Sequence, residues 1–381
     1  MLYSYLKGLD VQPNGFVTEA CEARSKCALE HNGTLTQGDV VSKQVNPSAA
    51  DSHLLVKGTR MGPLEPFDLG ALPDLIAEMR LMEANRDTLF PQVPASIRST
   101  RPGYPVSQFL MRRPFGVYAP GVNKMTTAST WHQAQRGVPD GTQSFVATRY
   151  PLTPRDLATY VHSDVDGQYR DAVDMLLELG VPLKASVGSA QGFDAATEVR
   201  FVDFNKVHLY ALVAEACDDA LLLAWKHKWS YLMARPEELF GRVVQNPGMY
   251  PPAVEAAVGG AFLSQVYPEG SPKHPSYPAG HAVTAVACSS VLKGIFDEEF
   301  LIPEKAPSVD GLSLVATGNM LRVGDELDKL MENIAMSRNY AGVHWRFDFR
   351  NAVSSAEALA SDVLIRRGRG NGASSFTSYN A

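Results

Sequence analysis

Lys206 to Arg235 reads KVHLYALVAEACDDALLLAWKHKWSYLMAR, and Pro236 follows at once. The stretch holds neither glycine nor proline, so it predicts a long helix. It is apolar over much of its surface, as a helix at the centre of a bundle is. Working outward, Thr153-Pro154-Arg155-Asp156 supplies a capping threonine, a proline at the first helical position and a closing acid. Leu157, Tyr160, Val161, Val165, Tyr169, Ala172, Val173, Leu176 and Leu177 then share one side of a helix that Gly180-Val181-Pro182 ends. Further helices are expected near His281 to Ile295 and from about Asp325 through Leu327, Met331 and Ile334 to Arg338. Shorter ones fit 73–85 and 16–30. Strand-like alternation is nearly absent. The expected fold is mainly α, a helical bundle. Residues 1–150 read as a loop-rich region with few helices packing on a core at 151–365, and 366–381 read as a disordered tail.

The composition narrows the function classes. Of 381 residues, 45% are hydrophobic and 20% charged, which excludes global disorder. A formal charge of −6 argues against nucleic acid as a partner, so any anion site is a local basic cluster. Cys21, Cys27, Cys217 and Cys288 are too scattered for a disulfide framework, and the last two read as small buried hydrophobes. No basic-then-apolar leader and no 18-residue apolar run is present, so the expectation is a soluble, cytoplasmic protein with no membrane partner.

Three short segments carry the chemistry. In the first, Lys228 and Arg235 are seven residues apart, two turns of one helix, about 10 Å along the axis. Their long side chains can converge on one anion, or merely cover a solvated face. The second is Pro275-Ser276-Tyr277-Pro278-Ala279-Gly280-His281. Its prolines set a rigid turn, Gly280 lets backbone approach a ligand, and the amides opening the next helix attract an anion beside His281. A locally bonded histidine at a helix entry is the plainer alternative. The third runs Ser337-Arg338 to His344-Trp345-Arg346-Phe347-Asp348. Arg338 extends an inward stripe and so needs a counter-anion. Asp348, four residues after His344, can hold the imidazole in one tautomer and leave its other nitrogen to bind or attack. A structural Arg–Asp pair with a core histidine remains the alternative.

Taken together, lysine, six residues, Arg-Pro; then Pro-Ala-Gly-His; then Ser-Arg, five residues, His, three residues, Asp resembles the superfamily of vanadium-dependent haloperoxidases and type 2 acid phosphatases. The resemblance implies a vanadate cofactor, with phosphate fitting the same site. It implies that Lys228, Arg235 and Arg338 hold the oxyanion with the Gly280 amide, and that His344 is the axial metal ligand oriented by Asp348. His281 would be the acid–base residue opposite. Hydrogen peroxide, halide and a small organic substrate would be the partners, in a homo-oligomer. Two neighbours bear on the halide. His274 and its lead-in resemble the bromoperoxidase branch, whereas Trp225 resembles chloroperoxidase-like members, and the balance leans to bromide.

One departure stands out. The family usually has serine where Ala279 stands, and a lost charge-assisted bond is worth roughly 1.5–3 kcal/mol. Three functions follow from the resemblance. The leading one is a vanadate-dependent bromide peroxidase yielding a hypohalous acid equivalent. The second is an acid phosphatase with a phosphohistidine at His344 and His281 protonating the leaving group. The third is a vanadate-free homologue with a biosynthetic or structural role, which Ala279 supports.

Overall fold

The structure is a computed structural model and describes residues 72–118, 145–162, 165–184, 206–267, 270–272, 274–366, 376 and 378–379. The helix expected at 16–30 lies outside these residues. In chain order the helices are α1 (Leu72–Ala84), α2 (Pro154–Tyr160), α3 (Val165–Glu178), α4 (Lys206–Tyr231) and α5 (Pro236–Gln245). They continue with α6 (Pro252–Val258), α7 (Gly280–Ile295), α8 (Val323–Tyr340), α9 (Phe347–Arg350) and α10 (Val353–Arg366). The fold is mainly helical, as its periodicity predicts.

Helix α7 is the axis of the bundle. Every residue from Ala282 to Ile295 is buried, and the helix packs against α4, α8 and α10. Its many small residues let those neighbours approach closely, while Val283, Val286, Val291, Leu292 and Ile295 each contribute ~1.5–3 kcal/mol by burial. Helix α8 is buried on all sides, although the sequence shows only one apolar stripe. Its charges are satisfied in place. Lys329 meets Glu326 at 2.5 Å, and Lys293 of α7 meets Asp328 at 2.8 Å. The loop at 99–112 covers the remaining side: the Ser107 amide donates to Asn333 Oδ1 and the Gln108 amide to Glu326 Oε2, both at 2.8 Å. Buried polar groups are tolerated when they are paired in this way.

Three expectations need correction. Two antiparallel hairpins exist, β1 (Phe115–Tyr118) with β2 (Phe145–Arg149), and β3 (Leu301–Pro307) with β4 (Leu314–Arg322). Pro303 and Pro307 hide β3 in the sequence, and its alternation between exposed and buried spans only Leu301–Lys305. The helix expected over 153–177 is two helices, interrupted between Tyr160 and Val165. The long helix at 206–235 stops at Tyr231, because Leu232 adopts φ +54° and the chain then runs extended into Arg235. Arg235 is therefore the residue before α5, and Pro236 opens that helix rather than closing the previous one. At the far end, Phe376 and Tyr379 lie against the core.

Two apolar clusters meet beside the third segment. One surrounds α7; the other gathers α1, α5, α6, Tyr231, Tyr277 and Trp345. The exit of α8 into this seam is a glycine-terminated cap. The Val343 amide donates back to Arg338 O at 3.1 Å, and Gly342 has φ +83°. Buried Arg86 completes it by donating to Tyr340 O at 2.5 Å and to Ser264 O at 2.7 Å. A cation at a helix C-terminus is favoured by the helix dipole. A Cβ on Gly342 would lie 2.9 Å from Arg86 Nη2 and 3.0 Å from Ser264 O. Gly342→Ala should therefore lose about 1–3 kcal/mol in urea unfolding. Gly180→Ala, at φ +67° with nothing within 4 Å of its Cβ, should lose clearly less. Equal losses would mean that strain alone, and not crowding, sets the effect.

Candidate functional site

Asp348 organises the site. Its Oδ2 accepts from His344 Nδ1 at 2.7 Å, Ser276 Oγ at 2.5 Å and the Trp345 amide at 3.1 Å. Its backbone oxygen accepts from the Ala279 amide at 3.0 Å, which joins the entry of α7 to α9. A carboxylate beside Nδ1 places the imidazole proton there and leaves Nε2 with its lone pair. Arg235 Nη1 points at that lone pair from 2.8 Å and also donates to Val343 O at 2.6 Å. Burial, then the charges of Arg235, Lys228 and Arg338, push His344 well below its ordinary value. A neutral imidazole of this kind can act as a ligand or a nucleophile. Burial raises Asp348 to about 6, against the opposing pull of Ser276, Lys228 and Arg235.

The other predicted residues join this centre by different routes. Lys228, on the last turn of α4, donates to Pro275 O and Ser276 O, both at 2.8 Å. Burial and then Arg235 hold it well below its usual value. Arg235 is brought in by the extended link, not by helical spacing. That link is pinned where Trp345 Nε1 donates to Ala234 O at 3.0 Å and the Ser276 amide to Met233 O at 2.8 Å. Burial draws Arg235 down to about 9, with Asp348 opposing. His274 Nδ1 lies 3.1 Å from Arg235 Nη2, and burial with the nearby cations pushes it down to about 2. Trp225 packs on that ring at 4.8 Å.

Arg338 and His281 form the opposite part. Arg338 Nη1 donates to Tyr267 Oη at 3.0 Å and to His162 O at 3.2 Å, and its guanidinium lies 4.8 Å from the Tyr267 ring centre. His281 Nε2 is 2.8 Å from the same His162 oxygen. That proton therefore faces a carbonyl, which differs from an acid aimed at an anion. Burial and Arg338 keep His281 well below its ordinary value. The break between α2 and α3 frees this carbonyl for both donors. Sequence reasoning missed Ser276, Tyr267 and the His162 carbonyl; of these only Ser276 lies within the three segments read as carrying the chemistry.

The donor set fits an oxyanion. Lys228, Arg235 and Arg338 are all at most 4% exposed, and Asp348 is the carboxylate whose charge acts on Lys228 and Arg235 from within the site. Arg338 Nε has no partner and is buried. Buried cations in such excess require an anion. Gly280 opens α7, and an added Cβ there would meet only Leu221 Cδ1 at 3.9 Å, so packing does not explain the glycine. First-turn amides at this position suit an anion. Ala279, which precedes them, offers no side-chain bond.

The chain is similar to known proteins. Residues 208–367 match the family model described as the VCPO second helical-bundle domain. The chain is 32% identical to the vanadium-dependent bromoperoxidase of Corallina officinalis over 251 residues, 56% of this chain and 42% of that protein. It is 30% identical to that of Ascophyllum nodosum over 282 residues, 65% of this chain and 50% of that protein. The chain thus spans about half the length, or less, of these relatives. The homohexameric structure of the second vanadate-dependent bromoperoxidase from Ascophyllum nodosum superposes with a TM-score of 0.61 at 21% identity, covering 81% of this chain and 67% of that one.

Ser276 generates a prediction independent of any cofactor. Ser276→Ala removes a charge-assisted bond to a buried carboxylate, so unfolding free energy should fall by about 1.5–3 kcal/mol. Urea titration measures it, and an unchanged midpoint would show that Asp348 is held by its other partners alone.

Proposed function

We propose that this chain belongs to the vanadium-dependent haloperoxidase family and oxidises halide, bromide favoured, with hydrogen peroxide. The product is a hypohalous acid equivalent that halogenates small organic molecules. Halide gives two electrons to the peroxide, its O–O bond breaks, one proton is taken up, and hypohalous acid and water leave. The observation that carries the reading is His344 Nε2, a neutral lone pair held among buried cations by the Asp348 contact at 2.7 Å. When bound, vanadate supplies a Lewis-acidic centre that activates hydrogen peroxide toward halide.

The chain's own residues do the rest. His344 would hold the metal through Nε2, and Asp348 with Ser276 fixes the ring. Lys228, Arg235 and Arg338 would hold the oxyanion's oxygens with the Gly280 amide, their fixed charges offsetting its negative charge. Their present partners are mostly carbonyls, which they can exchange for the anion. His281 moves a proton at the opposite side, which requires its Nε2 to leave the His162 carbonyl or its Nδ1 to act. Trp225 and His274, 4.8 Å apart beside Arg235, are proposed to line the halide and substrate pocket. A helical core at 151–365, with 1–150 packing on it, is the domain division that goes with this reading. A homo-oligomer is proposed too, since a structural neighbour is described as homohexameric. A cytoplasmic location is an expectation; among the described residues no helix is long and apolar enough to cross a membrane.

His344→Ala should abolish vanadate-dependent bromination and leave the circular dichroism spectrum unchanged. Bromination at the wild-type rate with vanadium still bound would overturn the assignment, and hydrolysis of phosphomonoesters without bromination would favour the phosphatase.

Ala279 gives the second test. It is the capping position of α7, 1% exposed, and its backbone is already extended at φ −71° and ψ 115°. Serine fits such a position without backbone strain. Ala279→Ser should lower the vanadate dissociation constant by about tenfold, as one bond to a charged group implies. Turnover at saturating vanadate should change much less. Bromination against vanadate concentration measures both, and inactivity of both proteins would favour the vanadate-free homologue.

A further inference from the structure

Cys217 and Cys288 have no part in the reading above, and as sequence they are small apolar fillers. The structure sets them against each other where α4 packs on α7. Cys288 is fully buried, and its Sγ lies 3.6 Å from Val213 O. Val213 stands four residues before Cys217. Helical side chains lean toward the N-terminus, so this carbonyl belongs to the turn that the Cys217 side chain covers. The two thiols are in hydrogen-bond contact there. Cys217 itself is only half-buried, at the edge of the main core. Burial, and then the Cys217 thiol, push Cys288 well above its ordinary value, so it stays protonated. The pair joins one thiol that solvent reaches to one that it does not. Both stand behind the anion site. Cys217 precedes Lys228 by eleven residues and Cys288 follows His281 by seven, about three and two helical turns, so each cysteine shares a helix face with a proposed site residue.

We propose that Cys217 and Cys288 are a peroxide-oxidised pair whose disulfide staples α4 to α7 behind the anion site. Cys217 Sγ, as thiolate, attacks one oxygen of hydrogen peroxide and the O–O bond breaks. The departing hydroxide takes up the proton that the thiol gave and leaves as water. Cys217 is then a sulfenic acid. Cys288 Sγ attacks that sulfur, the S–O bond breaks, and the hydroxide leaves with the Cys288 proton as a second water. Two thiols lose two electrons, and one peroxide becomes two waters. Cys288 is the resolving thiol, and it stops Cys217 at a reversible stage short of sulfinic acid. The step needs peroxide but neither halide nor vanadate, so it stands apart from the haloperoxidase reading. Closing the chain between 217 and 288 also restricts the unfolded state.

Peroxide treatment of the full, reduced chain without halide or vanadate tests the pair. After the peroxide is removed, free thiols are blocked with N-ethylmaleimide in denaturant and the non-reduced peptides are read by mass spectrometry. The expected product is a Cys217–Cys288 disulfide that dithiothreitol returns to two thiols. Oxidation should raise the urea midpoint of the wild type and leave those of Cys217→Ala and Cys288→Ala where they were. In Cys288→Ala, Cys217 should pass to sulfinic acid at peroxide levels from which the wild type still recovers. In Cys217→Ala, Cys288 should remain a thiol. Two intact thiols in the treated wild type overturn the proposal. So does sulfinic acid at Cys217 beside a free Cys288, or a bond from either cysteine to Cys21 or Cys27. A disulfide that leaves the urea midpoint unchanged overturns the staple. Should an alanine variant fail to fold, the wild-type peptides and midpoint decide alone.

Discussion

A single carboxylate, Asp348, holds together two parts of the chain that carry opposite ends of the site. Its side chain fixes His344, Ser276 and the Trp345 amide, while its backbone oxygen receives the amide of Ala279 at the mouth of α7. Three contacts on one oxygen are strong only because the group is negative and buried. The same burial raises it to about 6, so the neighbouring cations are needed to keep it charged. Cations, carboxylate and neutral imidazole are therefore one electrostatic unit, and none of the three can be explained alone.

That unit sits where two apolar clusters meet. Tyr277 and Trp345 belong to one, and Ala279, Val343 and Phe349 to the other. The motif segments alternate between the clusters residue by residue, which anchors their backbones on both sides. A site built this way is held by packing that extends far from it. Arg86, distant in sequence, contributes by closing the C-terminus of α8, and the loop at 99–112 contributes by satisfying the charges that α8 buries. The loop-rich first half is thus part of what positions Arg338 and His344.

Much of this was legible in the sequence, for identifiable reasons. Helix periodicity located α4, α7 and α8, because long regular segments repeat their signal many times. The His344–Asp348 contact followed from a four-residue spacing, which brings side chains together in a helix or a tight turn. Spacing misled at Lys228 and Arg235. Seven residues read as two helical turns, but Leu232 takes a left-handed conformation that nothing in its side chain announces. The two cations still converge, by a different path. The break before α3 was equally silent, since Leu157 to Leu177 keep the apolar rhythm across it. Hairpin β3–β4 was hidden by its prolines. Ser276 and Tyr267 act through contacts between segments distant in the chain, which no local pattern reveals.

The excess of buried positive charge has a consequence for the whole fold. Moving Lys228, Arg235 and Arg338 out of water opposes folding, and one carboxylate with several carbonyls compensates only in part. An oxyanion among them would replace partial dipoles with full charge. Whatever binds the native state and not the unfolded chain stabilises it according to its concentration and affinity. On the proposed reading, vanadate or phosphate should therefore act on folding as well as on chemistry, through the same residues. Ala279 then admits a physical interpretation. The position lacks one donor to the anion, but its small apolar side chain is 1% exposed and lies in the main core, where an unpaired hydroxyl would be costly whenever the anion is absent. Serine would favour the bound state and alanine would tolerate the empty one.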